Sequence, residues 1–307
     1  MKYEFIHREK VTYPVVIQCR VLEVHPSGYY AWLSKQQSGE LGKRATENAT
    51  LIREIEEIHT ETKARYGSPR VTAALRKRGY GVSRGRVARL MNARNLKAKR
   101  KRAYRITTRS NHWLASPNLL SRQFDSATAP NQIWTGDITY ISTHEGWLYL
   151  AVVIDLFSRR VVGMAMGREL SKGLVCDALT QAIQRRRPQA GLLTHTDRGT
   201  QYSSSDYRQI LQEHGFKQSM SAKGECYDNA PTESFFKTLK TEEVDRRSYK
   251  TRTEAAQAIF HFIEVFYNRQ RLHSTLGYLS PVDFELLHKT ELTENNNLTT
   301  TTTTGVY

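Results

Sequence analysis

Ile133-Trp134-Thr135-Gly136-Asp137-Ile138-Thr139-Tyr140-Ile141 is a β-rich run interrupted by a single carboxylate. An unpaired carboxylate in such a run is costly to bury unless a cation compensates it, so Asp137 marks a candidate site as well as a strand. Two more apolar runs follow, Trp147 to Ile154 and Val161 to Met166, joined by the short turns Ser142-Thr143-His144-Glu145-Gly146 and Phe157-Ser158-Arg159-Arg160. Three strands so spaced make a meander. Beyond it the pattern predicts a helix from about Lys172 to Arg187, a short strand over Leu192–Thr196 and a helix near Ser205–His214. A last strand over Lys217–Met220 and a helix running to Leu239 complete an α/β order, a mixed sheet flanked by helices.

Upstream, residues 111–130 are rich in Ser, Asn, Pro and Ala and read as a linker between this core, assigned to 131–245, and a basic region over 46–110. The chain has 307 residues with 46 Lys+Arg against 30 Asp+Glu, a formal charge of +16. Residues 61–110 hold 17 Lys/Arg and a single acid, Glu61, so the whole excess lies in that block. A charge this concentrated implies a polyanion, and nucleic acid is the commonest one. Ser68-Pro69 predicts a helix start, Gly79-Tyr80-Gly81 its end, and Ser83 the cap of a second helix reaching Asn92. Val87, Leu90 and Met91 face inward, leaving Arg84, Arg86 and Arg89 for solvent or ligand. The pair reads as a helix-turn-helix, and the run Lys97-Ala98-Lys99-Arg100-Lys101-Arg102 as an arm that tracks phosphates.

Before it, Leu51, Ile52, Ile55 and Ile58 stripe a helix from Glu47 to about Tyr66, and residues 1–45 read as two small helices broken at His25-Pro26-Ser27-Gly28. After the core, Ala255, Ile259, Phe262, Ile263 and Phe266 define a packing helix within a C-terminal helical extension, 246–288. Residues 289–307 are polar and read as a disordered tail. Cys19, Cys176 and Cys226 are too far apart for a CxxC zinc site or a disulfide framework, which fits a reduced, cytoplasmic protein. No run is apolar enough for a membrane helix.

A mixed sheet beside a DNA-binding module invites a search for metal-binding carboxylates, because phosphodiester chemistry is commonly driven by two Mg²⁺ ions. An Asp-to-Glu spacing of 36 occurs four times: Asp177/Glu213, Asp197/Glu233, Asp206/Glu242 and Asp228/Glu264. Context separates them. Asp177, Asp206, Glu213 and Glu242 fall among polar helical residues, whereas Asp197 ends an apolar strand and Glu233 sits in the first turn of a helix. Asp137 is the candidate third member; its rival, Asp155, ends the second strand and reads as a turn or capping residue, and His195 reads as a structural residue on a strand edge.

The blocks Trp134-Thr135-Gly136-Asp137-Ile138-Thr139-Tyr140, His195-Thr196-Asp197-Arg198-Gly199-Thr200-Gln201-Tyr202 and Ser219 through Lys240, with its Asp228-Asn229-Ala230-Pro231-Thr232-Glu233 centre, resemble the signatures of bacterial insertion-sequence transposases of the OrfB type, the "IS three" family. The resemblance spans about residues 10–288 and implies a ribonuclease H-like, retroviral-integrase-like core. It implies that Asp137, Asp197 and Glu233 are the catalytic, metal-binding triad, holding two magnesium ions for which manganese substitutes. The family's basic residue seven positions after the glutamate falls on Lys240, on the same helical face, with Lys237 one turn earlier; both are expected to hold DNA phosphates.

The expected activity is cleavage of double-stranded DNA at an insertion sequence's terminal repeats, then strand transfer of the freed 3′-OH into target DNA by a homo-multimer. The resemblance further implies a fusion, by ribosomal frameshifting, with an upstream-frame product that supplies another helix-turn-helix and a coiled coil; this sequence has no sustained heptads of its own. The alternative reading is a DNA-binding regulator or assembly partner, catalytically silent unless joined by that product. A nuclease of RNA–DNA hybrids fits the separate basic block poorly.

Overall fold

The computed structural model describes residues 1–37, 43–98, 116–222 and 225–301. The chain divides into two compact units after Ala98. The first is helical: α1 (Lys2–Glu9), α2 (Val15–Val21), α3 (Pro26–Gln37), α4 (Lys43–Glu61), α5 (Ser68–Lys77) and α6 (Arg84–Ala93). Three helices, not two, precede residue 38. The expected pair is α2 and α3, separated before Pro26, which opens α3 because a proline in the first turn forfeits no hydrogen bond; α1 is additional. Gly28 lets α3 approach α1, since a Cβ there would collide with the Tyr3 hydroxyl. Ser83 caps α6, its Oγ accepting from the Arg86 N–H at 3.3 Å. The cap position of α5 falls on Gly67, so Ser68 is the first helical residue and not its cap.

The second unit contains β1 (Ile133–Thr143), β2 (Gly146–Asp155), β3 (Val161–Gly167), α7 (Lys172–Arg186), β4 (Leu193–Thr196), α8 (Ser205–Glu213), β5 (Lys217–Met220), α9 (Ala230–Glu242), α10 (Arg252–His261) and α11 (Pro281–Thr301). The strands form one mixed sheet in the order β3-β2-β1-β4-β5. The meander β1-β2-β3 is antiparallel, while β4 joins β1 and β5 joins β4 in parallel. This is the helix-flanked mixed sheet that the element order predicts.

Alternation along the strands assigns their two faces. Trp134, Ala151, Val153 and Val162 pack with Leu174, Val175, Ala178 and Leu179 of α7 and Tyr207 and Leu211 of α8. Burying each large apolar side chain contributes about 1.5–3 kcal/mol. Gly163 sets how closely α7 lies on β3, since a Cβ would collide with the Ala178 carbonyl oxygen. Thr135 faces the other way, and α9 packs on β1 with α10 on β2.

Two expectations change and one, the packing helix, gains detail. The end of the linker is folded onto the core: the Ser219 hydroxyl accepts from the N–H groups of Leu119 (2.9 Å) and Leu120 (3.3 Å), and Leu120 is buried. A Ser/Pro/Asn-rich composition does not reveal a strap whose backbone is satisfied by a distant strand. The helix after residue 252 continues beyond His261 as a π-helical turn, Phe262–Tyr267, with Phe262, Ile263, Phe266 and Tyr267 buried. Finally, α11 runs to Thr301, into the segment read as a disordered tail; residues 289–293 are exposed, so this stretch adds no core.

Candidate active site

Parallel pairing of β1 with β4 ends at Gly136 and Thr196, so the next residues, Asp137 and Asp197, stand side by side at the carboxyl end of β4, where β1 runs on alone to Thr143. Asp137 Oδ1 accepts from the N–H of Ile138 at 2.7 Å, and Asp197 Oδ1 from that of Gly199 at 2.9 Å. Glycine leaves room for the second bond: a Cβ on Gly199 would stand 3.0 Å from that oxygen, a tight contact.

The third carboxylate arrives on α9, whose start is latched to β1. Asn229 Nδ2 donates to the Gly136 carbonyl at 3.2 Å. The Thr232 hydroxyl shares a hydrogen bond of 2.8 Å with the Thr135 hydroxyl and donates to Asn229 Oδ1 at 3.0 Å. Both threonines and Asn229 are buried. Glu233 therefore leaves the first turn of α9 beside the residues that precede Asp137. Sequence reasoning missed this latch; the run Asn229-Ala230-Pro231-Thr232, a helix start whose polar residues precede a buried face, was its signal.

Burial pushes the Asp137 carboxyl well above the usual range, Asp197 and Glu233 push it further, and the Ile138 N–H and Lys240 oppose the shift. Asp197 is raised by burial against the Gly199 N–H, and Glu233 is raised by burial. Behind them, burial and the two aspartates raise the Tyr202 phenol. Burial lowers the Lys240 ammonium, while Tyr140, Asp245 and Asp137 favour its charged form. The site thus holds negative charge in excess of its own compensation.

The other carboxylates have separate roles. Asp155, the last residue of β2, pairs in register with Trp134 and acts as a turn residue, accepting from the N–H groups of Asn131 (2.6 Å), Phe157 (3.0 Å) and Ser158 (3.2 Å). Asp228 accepts from Asn118 Nδ2 (2.8 Å), Arg122 Nε (2.6 Å) and the Ala222 N–H (2.8 Å), tying the linker strap to the loop before α9. Burial would raise its carboxyl; the Ala222 N–H and Arg122 hold it below the usual range. Asp177 and Glu213 are exposed, Asp206 pairs with Lys172 at 2.9 Å, and Glu264 pairs with Arg185. Glu242 departs from its reading as a solvated residue: it is buried, with Oε1 2.8 Å from Arg271 Nη2. His195 is buried, its ring nitrogens 2.8 Å from Ser219 Oγ and 3.3 Å from Ser221 Oγ, and burial lowers its pKa to about 4.

Among the basic residues, Arg84, Arg89, Lys97 and Lys237 are exposed. Arg86 is committed to α4: Nε donates to Asn48 Oδ1 at 3.0 Å and Nη2 to Glu47 at 3.1 Å. Arg78 is likewise held by Glu54, Glu57 and Glu61 at 2.8, 3.2 and 2.7 Å. Lys99, Arg100, Lys101 and Arg102 lie outside the described residues.

An integrase core domain family matches residues 127–226, a second integrase core domain family matches 233–287, and an HTH-like domain family matches 46–104. The chain is 42% identical over 286 residues to the transposase InsF for insertion sequence IS3A of Escherichia coli, covering 93% of this chain and 98% of that one. It belongs to the IS3 family of insertion-sequence transposases. A Shigella sonnei relative, the insertion element IS600 uncharacterized 31 kDa protein, is 46% identical over 267 residues, 87% of this chain and 96% of its own. Among solved structures, the transposase is similar to the HTLV-2 integrase catalytic core domain in complex with magnesium (TM-score 0.37, 19% identity, 52% of this chain and 99% of that one). It is also similar to a simian T-cell lymphotropic virus intasome (TM-score 0.41, 15% identity, 75% and 74% covered).

The transposase's donor chemistry suits a hard divalent cation, since all three candidate ligands are carboxylates and their mutual repulsion raises the Asp137 carboxyl. Among the described residues, however, no group of three or more His, Cys, Asp or Glu side chains is already placed to hold a metal ion. No helix among them is long and apolar enough to cross a membrane.

Proposed function

We propose that this transposase cuts DNA at the ends of its insertion sequence and transfers the freed 3′-OH to a second strand, with Asp137, Asp197 and Glu233 as its catalytic carboxylates. The observation that carries the reading is the position of Asp137 and Asp197, each one residue past the last pair of the β1–β4 ladder, with the Glu233 helix latched to β1. The three would hold two Mg²⁺ ions, or Mn²⁺ in their place, which supply Lewis-acid activation of the attacking oxygen and charge stabilisation of the leaving one. The Asn229 and Thr232 contacts orient Glu233, and the Gly199 N–H fixes the Asp197 carboxylate. Lys240, and Lys237 one turn earlier, would hold a phosphate of the scissile strand. Water attacks first and the 3′-OH second, each in line, so no covalent enzyme intermediate is needed.

In the first unit, Arg84, Arg89 and Lys97, with the arm Lys99, Arg100, Lys101 and Arg102, would contact duplex phosphates, while Arg86 braces α6 against α4. The protein would act in the cytoplasm as a homo-multimer pairing two DNA ends, with or without an upstream-frame partner. Similarity to InsF across 93% of the chain supports the catalytic reading over a silent assembly partner. The test is strand cleavage of the terminal repeat with Mg²⁺, comparing wild type with Asp197→Asn. Loss of cleavage in the variant is expected; equal activity would overturn the triad. Activity that appears only on adding the upstream-frame product would make the chain partner-dependent.

A further inference from the structure

Past Asp137, where β4 no longer pairs with β1, two aromatic rings are left half outside the core on the face that Trp134 shares. Tyr140 lies on β1 three residues beyond Asp137, and Trp147 is the second residue of β2. Their rings meet edge to face, with centroids 4.9 Å apart and planes at 80°. In the ladder Tyr140 stands opposite Tyr149 and Trp147 opposite Ser142, so the two are diagonal neighbours on one side of the sheet. They remain 39% and 49% exposed, although strand pairing alone would allow smaller or polar residues at such positions.

Cations flank the pair. Lys240 Nζ lies 5.1 Å from the centroid of the Tyr140 ring. At the other end, Arg252 Nε donates to the Trp147 carbonyl at 2.9 Å, and a Cβ on Gly146 would come within 2.8 Å of the same guanidinium. The neighbouring carboxylate, Glu145, accepts from the backbone N–H of Arg252 at 2.8 Å, at the start of α10. A half-exposed π surface with an ammonium beside it matches an unpaired nucleotide, with its base on a ring face and its phosphate on Lys240. An intact duplex keeps its base faces stacked inside and offers nothing to such a surface.

We propose that Tyr140 and Trp147 form a stacking surface for an unpaired base of the DNA strand separated beside the scissile phosphate, with Lys240 at its phosphate. The proposal rests on the carboxylate edge being the site of DNA chemistry, because only a strand opened there reaches the rings. It adds a role for the site in holding a melted DNA end.

The test uses the full chain and a short single strand carrying 2-aminopurine near its 3′ end, beside a blunt duplex of the same sequence. Both are titrated at a salt concentration that suppresses phosphate-only binding. Trp147→Ala and Tyr140→Ala should each weaken binding of the single strand by about tenfold and abolish its protein-induced fluorescence change, with duplex affinity held within about twofold. Trp147→Phe should keep most of the binding. Trp147→Leu, which retains apolar cover over the sheet without a π face, should lose it as alanine does, so that loss cannot be assigned to unfolding. Unchanged single-strand binding, or equal loss on both DNA forms, would overturn the proposal. Concentration-dependent self-association that disappears in Trp147→Ala while strand binding persists would also overturn it, making this face a contact between copies. Failure of the carboxylate reading is read separately, as cleavage retained by Asp197→Asn.

Discussion

The hydroxyl of Thr232, at the start of α9, lies 2.8 Å from the hydroxyl of Thr135 on β1. Each threonine is close in sequence to a proposed catalytic carboxylate, Glu233 one residue on and Asp137 two residues on. The bond couples the helix that carries one acid to the strand that carries another. It is buried, so it cannot be exchanged for bonds to water without opening the site.

Thr232→Val keeps the shape of the side chain and removes that bond, leaving the Thr135 hydroxyl and Asn229 Oδ1 short of a partner. The expected cost is about 1–3 kcal/mol in urea unfolding, together with a loss of strand cleavage larger than the loss of DNA affinity. A variant as stable and as active as wild type would show that the latch does not position α9.

Asp137→Asn removes a buried charge from beside Asp197 and Glu233. The native carboxyl is raised above its unfolded value, so the stability linked to it is present below the ordinary carboxylate range and is lost as pH rises through the native value. Without metal, the variant should equal wild type in acid and melt about 2–4 °C higher at neutral pH, the shift of a ~1 kcal/mol change in a unit of this size. Added Mg²⁺ should raise the melting temperature of wild type alone. Differential scanning calorimetry with and without Mg²⁺ checks both halves.

Arg86 and its neighbours should separate by phenotype. Arg86→Ala breaks hydrogen bonds to Asn48 and Glu47 that are partly exposed, and should cost up to about 1 kcal/mol of stability in the first unit. Arg84→Ala and Arg89→Ala should leave stability alone and reduce the log-log salt slope of duplex binding by about 0.9 for each DNA phosphate that is no longer neutralised. Thermal unfolding and binding titrations over a range of salt distinguish the two sets.

Glu285 fixes α11 through Arg186 (2.9 Å) and Arg160 (2.7 Å), with Ser158 Oγ donating at 2.8 Å. Burial would raise its carboxyl, but Arg186, Ser158 and Arg160 hold it below the usual range. The linked stability is therefore present above the unfolded pKa and is lost as pH falls through the lowered native one. Glu285→Gln should cost about 1.5–3 kcal/mol at pH 7 and progressively less in acid, read as converging denaturation midpoints.

The strand–helix order was legible because the apolar runs are short, separated by clear turns and bounded by Gly, Ser and Asp. The hairpin was legible from Ser83 and Gly79, which act through backbone geometry that neighbouring residues define. Of the first three helices, α2 and α3 match the two read on either side of His25–Gly28, and α1, a short polar segment with a single buried residue, Ile6, was not legible. Glu242 shows the same limit: a glutamate among polar helical residues reads as solvated, and only the approach of Arg271 from a later segment makes it a buried ion pair.

What the sequence by itself determined is the set of local choices: where strands and helices start, which block carries the +16 excess, and which carboxylates sit at a strand end or a helix start. These follow from periodicity, capping and turn chemistry, all of short range. Sequence context had already singled out Asp197 and Glu233 among four equally spaced Asp–Glu pairs; how Asp137 comes beside Asp197, and which arginines stay available, was decided by tertiary structure. Parallel pairing of β1 with β4 sets Asp137 beside Asp197, and the fold of α4 against α6 places Glu47 and Asn48 on Arg86. Both outcomes depend on contacts between residues 38 or more positions apart, for which local sequence carries no signal until the chain has closed those loops.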